Sequence, residues 1–224
     1  MPRAILNSET TCGSQSVPEF ETLALVTDEN VLVVPAAEIS SHLATRFAPG
    51  VAERVIAMAN NLRKFLPRSQ VEQDESYKQI IPYICIRHQG AYLLLQRTKK
   101  QSEARLHNKY SLGIGGHINE LEVAGGAADL VHAGLMRELT EEITVESGWS
   151  LDLLGTIYDS TTPVGRVHFG IVYELVTPGR AFTLNEPELM SASWVERRDL
   201  AAFKERMETW SQLLLEGHIE KSTS

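Results

Sequence analysis

The residues whose types and spacing could do chemistry are concentrated in the run Arg137-Glu138-Leu139-Thr140-Glu141-Glu142. On a helix, Glu138, Glu141 and Glu142 stand at i, i+3 and i+4, so three carboxylates project from one face while Leu135, Leu139 and Ile143 form an apolar stripe on another. Like charges at this spacing repel. On an exposed face each such pair costs only about a few tenths of a kcal/mol, but in a cleft the group calls for a divalent cation that keeps it ionised. Oxygen-only ligation suits Mg²⁺ or Mn²⁺, with waters and substrate phosphates completing the shell. Upstream lies Gly113-Ile114-Gly115-Gly116-His117, a turn whose glycines let the backbone approach a metal or a phosphate and offer an open carbonyl. The carboxylate spacing alone better describes a solvated charged face; glycine turn, helix and triad in this order reverse that and favour the metal.

Ahead of the turn is the one locally basic stretch of an acidic chain: Arg97, Lys99, Lys100, Arg105, His107 and Lys109. Arg can grip a phosphate through two parallel N–H bonds, and Arg97, Arg105 and Lys109 are the candidates for substrate binding. Glu120 and Glu122, between turn and helix, are further carboxylates. His117 and His168 could contact substrate, and Tyr158 and Phe169 could stack on a base. A structural role is the better default for all four.

These side chains need a framework. Gln79–Arg87 and Ala91–Gln96, rich in Ile, Tyr and Leu, flank His88-Gln89-Gly90 and read as a hairpin. A helix is expected over 129–143, strands over 151–158 and 167–176, a short strand at Trp194-Val195, and an amphipathic helix over 199–215 carrying Leu200, Phe203, Met207, Trp210 and Leu214. Before them, residues 1–20 read as a polar leader. Residues 21–75 read as an N-terminal subdomain with a hairpin about Asp28-Glu29-Asn30 and a helix from Val51 to Phe65. The polar run Ser69–Ser76 separates it from a catalytic domain over 76–218. Strands on both sides of a central helix, with a closing C-terminal helix, point to an α+β sandwich around a mixed sheet.

The glycine turn and the RELTEE helix together resemble the Nudix hydrolase family, whose signature reads G-x5-E-x7-R-E-U-x-E-E-x-G-U, with U a bulky aliphatic residue. Arg137, Glu138, Leu139, Glu141, Glu142 and Val145 fall on its second half. Counted back from Arg137, the first acidic position holds Asp129, which puts an insertion of about seven residues within 118–128. Thr144 stands where the signature has glycine, and Asn119 where the family often has Glu. The lead-in from Tyr77 to Tyr83 and the turn from Gly115 to Asn119 are similar to a bacterial branch of the family described as phosphoesterases.

The resemblance covers about residues 79–215. It implies an α/β/α sandwich around a mixed β-sheet, here with an N-terminal α/β decoration, and a magnesium-dependent hydrolase that cleaves a phosphoanhydride in a nucleoside diphosphate derivative or similar small molecule. Carried over by position, it implies that Glu138, Glu141 and Glu142 bind Mg²⁺ (Mn²⁺ being the substitute), that the Gly116 carbonyl adds a ligand, that Asp129 assists, and that Arg137 orients a glutamate. It also implies an extra acidic residue in the loop before a Trp-containing strand, here Glu188, and a homodimer. A non-catalytic nucleotide or sugar-phosphate binding module on the same scaffold is the alternative. Isoprenoid diphosphate isomerisation is a weaker third reading, because Cys85 in an apolar strand is a poor acid.

Composition limits the partners. Twenty-one Lys and Arg against twenty-nine Asp and Glu give a net charge of −8, which repels duplex nucleic acid. No apolar run reaches the roughly 18 residues of a membrane span. The first residues lack the apolar core of a secretory signal, so a cytoplasmic location is expected, with Cys12 and Cys85 reduced.

Overall fold

The computed structural model describes residues 28–97 and 109–221. Arg105, its basic neighbours Lys99, Lys100 and His107, Cys12, and the strand expected before Asp28 lie outside them.

The apolar run from Ile80 to Ile86 explains the architecture. Successive side chains of a strand point to opposite faces, so a continuous hydrophobic run means that both faces are covered. Ile80, Ile84 and Ile86 enter one core with Leu135 and Leu139, whereas Tyr83 and Cys85 enter a second with Leu214 and Leu215.

Before this strand come β1 (Asn30–Pro35), β2 (Arg46–Ala48), α1 (Ala52–Leu62), β3 (Lys64–Pro67) and the short α2 (Arg68–Val71). The central strand is β4 (Tyr77–His88), followed by β5 (Ala91–Arg97) across the expected hairpin, closed by the pairs Arg87↔Tyr92 and His88↔Ala91. Next are β6 (Tyr110–Ser111), β7 (Gly113–Gly115), α3 (Glu120–Ala124), α4 (Leu130–Glu142), β8 (Ile143–Val145) and β9 (Ser150–Tyr158). The chain continues through α5 (Pro163–Val167), β10 (His168–Val176), β11 (Phe182–Leu184), β12 (Met190–Glu196) and α6 (Thr209–Leu214).

The main sheet runs β12-β5-β4-β10-β9-β2 and is mixed: β4 and β10 are parallel, from His168↔Gln79 to Val176↔Arg87, and the other named pairs are antiparallel. The second edge of β4 is shared out along its length. β1 pairs with Tyr77–Gln79, β7 with Tyr83–Cys85, and β5 with the last two residues. Helices α1 and α4 cover one face, through Val55, Ala59 and Leu135, and α6 covers the other through Leu214. This is the expected α/β/α sandwich. None of the described helices is long and apolar enough to cross a membrane.

Two local expectations are corrected. The helix expected from Val51 to Phe65 ends at Leu62, because Arg63 turns left-handed (φ 42°) and Phe65 and Leu66 join β3 against Leu32 and Val31. The single helix expected over 199–215 is broken. Residues 197–206 wind as 3₁₀ turns, Met207 is extended, and α6 starts afresh because the Glu208 carboxylate caps it, accepting from Trp210 N at 2.7 Å and Ser211 N at 2.8 Å.

The preceding segment braces the site. Leu32 N–H donates to the Ile118 carbonyl at 2.8 Å, just beyond the glycine turn. From α1, Asn60 accepts from Leu130 N at 2.8 Å, and Arg63 Nη2 donates to Ala127 O at 3.0 Å.

Candidate metal and phosphate site

Helix α4 carries the acidic run, and its two ends do different work. Asp129 is the N-cap: Oδ1 accepts from Val131 N and His132 N, both at 3.1 Å, and from Asn60 Nδ2 at 3.0 Å. At 1.5 Å of rise per residue it lies about 14 Å along the axis from Glu138 and farther from Glu142. The structure therefore does not bring Asp129 to the other carboxylates. At the far end the signature glycine is dispensable. Ile143 is already extended (φ −148°) and Thr144 pairs with Thr183 in a two-stranded ladder, so the chain leaves the helix without a left-handed residue.

Arg137 ties the site together. Its Nε donates to Glu122 Oε1 at 2.8 Å, Nη1 to Glu138 Oε1 at 2.8 Å and to Glu141 Oε2 at 3.0 Å, and Nη2 to the His117 carbonyl at 2.6 Å. Burial opposes its charge, but the three carboxylates outweigh burial and its pKa is raised. One planar guanidinium thus locks the glycine turn to the helix. Glu138 lies directly against the turn, so close that a Cβ on Gly116 would overlap its carboxylate. Burial raises the Glu138 pKa against the pull of Arg137.

Glu142 is the unusual group. Its side chain is 18% exposed, Arg97 Nη2 is 3.9 Å from Oε1, and Oε2 is buried with no hydrogen-bond partner among the described residues. Burial pushes its pKa up to about 7; Arg97 opposes the rise, and the charges of Glu138, Glu186 and Glu141 add to it. Glu141, by contrast, has a side chain 57% exposed and paired with Arg137. Among the described residues no three of His, Cys, Asp and Glu converge as a ready-made metal cage. The triad is divided: Glu138 and Glu142 face the turn and the cleft, and Glu141 faces solvent.

Glu142 and Gly116 line a cleft of about 600 Å³ together with Arg97 and Lys109. That volume suits a small organic ligand. The loop between β11 and β12 is pinned beside it, since Asn185 N–H donates to Glu142 O at 3.0 Å and Asn185 Nδ2 to Thr140 O at 2.7 Å. Glu188 sits in this loop, exposed, and Glu186 is the member whose charge acts on Glu142. His117 and His168 both line the cleft, with their Nε2 atoms 3.1 Å apart. His168 Nδ1 lies 2.8 Å from the Val164 carbonyl, which can only accept, so Nδ1 carries a proton. Tyr158 and Phe169 are buried core residues, and Cys85 is a buried free thiol.

The NUDIX domain model matches residues 79–215. The chain belongs to the Nudix family. It is 32% identical over 199 residues to Protein YmaB of Bacillus subtilis (strain 168), covering 84% of this chain and 97% of YmaB. The crystal structure of Tm1382 superposes with a TM-score of 0.72 at 30% identity, covering 86% of this chain and 99% of Tm1382. The Nudix domain of Shewanella oneidensis NrtR, solved with ADP ribose, matches at a TM-score of 0.50 and 16% identity over 65% of this chain and 89% of that one, a likeness of fold alone. Nudix enzymes generally hydrolyse pyrophosphate bonds and generally use a divalent metal such as Mg²⁺.

In this Nudix chain the first half of the signature is intact, counted forward instead of back. Five residues separate Gly116 from Glu122, and Glu122 is the buried partner of Arg137. The extra seven residues are Val123 to Asp129, downstream of that glutamate. Asn119, in the place of a frequent family Glu, caps α3 by accepting from Leu121 N at 2.9 Å, while Glu122 Oε2 accepts from Asn119 N at 3.0 Å. Sequence reasoning offered Glu122 only as a stand-in for a missing signature carboxylate, because counting back from Arg137 placed the insertion on the wrong side of it. It passed over Tyr83, Glu208 and Trp210, which line the cleft from β4 and the start of α6.

The residues fit a hard divalent cation. Glu138, Glu142 and the Gly116 carbonyl present oxygen donors only, the buried Oε2 of Glu142 lacks a hydrogen-bond partner among the described residues, and the absent Cβ at Gly116 leaves the backbone against Glu138.

Proposed function

We propose that the chain is a magnesium-dependent Nudix pyrophosphohydrolase that cleaves the phosphoanhydride of a nucleoside diphosphate derivative. The observation carrying this reading is the buried Glu142 carboxylate oxygen, without a hydrogen-bond partner among the described residues, in one cleft with Gly116, Arg97 and Lys109. Glu138, Glu142 and the Gly116 carbonyl would hold the ion, and the exposed Glu141 would complete the set by turning from Arg137. When bound, Mg²⁺ supplies positive charge to the developing phosphate oxygens and lowers the pKa of an attacking water. Arg137, fixed by Glu122, holds Glu138 against the turn. Arg97 and Lys109 bind the substrate phosphates, joined by Arg105 from outside the described residues. The 185–189 loop, fastened by Asn185, carries Glu186 and Glu188 beside the end of α4.

Purified protein incubated with a nucleotide panel in Mg²⁺ is expected to release a phosphorylated product and to lose that activity in Glu142→Gln. A broad panel without product, together with no heat of Mg²⁺ binding, would refute the reading. One observation favours the binding-module alternative: Glu141 is held by Arg137, away from the cleft. Ligand-induced thermal stabilisation without turnover distinguishes that case.

A further inference from the structure

The Gly116 carbonyl belongs to a residue with no side chain to hold it, and none can be added, since a Cβ there overlaps the Glu138 carboxylate. Glycine has the widest backbone freedom of any residue, so its neighbours must set the direction of that carbonyl. Before it, Gly115 pairs with Tyr83 in the sheet. After it, the Gly116 oxygen shares one planar peptide unit with the His117 nitrogen, so whatever fixes His117 also fixes the oxygen. Two bonds hold His117 from different elements. From α4, Arg137 Nη2 donates to its carbonyl at 2.6 Å. From β10, the His168 ring meets its ring, with the Nε2 atoms 3.1 Å apart and the planes inclined at 58°.

His168 has a fixed seat of its own. It opens β10 opposite Gln79 and is 9% exposed. Its Nδ1–H donates to the Val164 carbonyl at 2.8 Å, so in the neutral ring Nε2 is an acceptor and His117 Nε2–H donates to it. The loop ahead of β10 holds Val164 in turn. Thr162 Oγ1 caps α5, accepting from Gly165 N at 3.0 Å, and donates to Asp159 Oδ2 at 2.9 Å, while Asp159 Oδ1 accepts from Thr161 N at 2.8 Å. Gly165 must be glycine, because a Cβ there would come within 2.3 Å of the Asp159 carbonyl oxygen. A hydrogen-bond chain therefore runs from α5 through His168 and His117 to the peptide that carries the Gly116 oxygen.

We propose that His168 is a positioning residue of the metal site: by bonding the His117 ring it fixes the orientation of the Gly116 carbonyl that ligates the cation. The proposal rests on the metal reading of that carbonyl, and the test separates the two. His168 need touch neither ion nor substrate. Two short amides distinguish its ring nitrogens. Gln places a polar atom near the position of Nε2 and keeps the bond to His117, whereas Asn reaches only the position of Nδ1 and keeps the bond to Val164 alone.

The probe is Mn²⁺, titrated without substrate into the full chain and followed by electron paramagnetic resonance. Losing an outer partner of a metal ligand typically weakens metal binding by about 10–100-fold. His168→Asn is expected to weaken Mn²⁺ by about tenfold, and His168→Gln to recover most of that loss. His117→Leu cuts the same link from the other side and is expected to weaken Mn²⁺ as His168→Asn does. Adding His168→Asn to His117→Leu should then change nothing further, because the two side chains act through one bond. Full affinity in His168→Asn, equal loss in the Asn and Gln variants, or a His168→Asn loss that persists undiminished on top of His117→Leu overturns the positioning role and leaves the metal site standing. If the unaltered protein binds no Mn²⁺, both readings fall. Circular dichroism establishes that the variants are folded; should His168→Asn not be, His117→Leu stands in for it, and full affinity there overturns the role.

Discussion

Replacing Glu142 by Gln tests the site through stability, without any substrate. In the metal-free protein burial holds the Glu142 carboxyl near pH 7, against 4.5 for the same group in the unfolded chain. Between those values the folded state keeps a proton that the unfolded state has lost, so stability falls as pH rises from about 4.5 to about 7 and is flat beyond. At about 1.4 kcal/mol per pH unit the difference amounts to on the order of 3 kcal/mol, an upper value because the side chain is partly exposed and Arg97 lies close. Gln has the shape of the protonated acid and no charge to bury. Melting in EDTA should therefore find the two proteins close at pH 5 and Glu142→Gln more stable at pH 8. For a chain of this length the gain is roughly 6–12 °C at about 2–4 °C per kcal/mol. Excess Mg²⁺ at pH 8 should raise the unaltered protein selectively, because the ion binds its ionised form. A pH-independent difference, or a variant less stable at pH 8, would refute the account of Glu142 as a carboxylate kept unpartnered for a cation.

Gly116→Ala should abolish Mg²⁺ binding and turnover and lower stability by about 1–3 kcal/mol, since the added methyl overlaps the Glu138 carboxylate; calorimetry and thermal melting read both. Glu122→Gln should weaken Mg²⁺ binding by about 10–100-fold, the usual consequence of losing an outer partner, and a titration with Mn²⁺ by electron paramagnetic resonance would reveal it. Asp129→Ala removes a helix cap and should cost about 0.5–2 kcal/mol in denaturant unfolding. Its metal affinity should stay unchanged, because Asp129 stands at the opposite end of α4 from Glu142.

The sandwich was legible because its signals are local. The run from Ile80 to Ile86, the turn at Gln89-Gly90 and the stripe of Leu135 and Leu139 each specify one element, and each element has one place to bury its face. What the sequence obscured depends on partners distant in the chain. Glu208 ends one helical segment and starts another because Tyr83, far upstream, donates to its carboxylate. β12 extends over Met190–Glu196 and not only Trp194-Val195 because β5 pairs with it along the whole strand. Polar residues such as Ser191 and Ser193 carry no strand signal of their own there.

The site teaches the same lesson about counting. Measured back from Arg137, Asp129 occupies the acidic position, and it is a good acid for a reason unrelated to metal: Leu130, Val131 and His132 open a helix whose orphan N–H groups need a cap. Measured forward from Gly116, Glu122 occupies it, and its partner Arg137 is a full inserted segment away. The two counts disagree by seven residues, and those residues finish α3 and form the turn before α4 begins at Leu130. Asn60, donating to Asp129, and Arg63, donating to Ala127 O, hold that turn, so α4 still presents Arg137 to the glycine turn. Deleting Gly126, which takes φ 78° in that turn, should disturb the Ala127 and Asp129 contacts and loosen Arg137 from Glu122. Unchanged Mg²⁺ affinity in that variant would show that the turn does not set the position of Arg137.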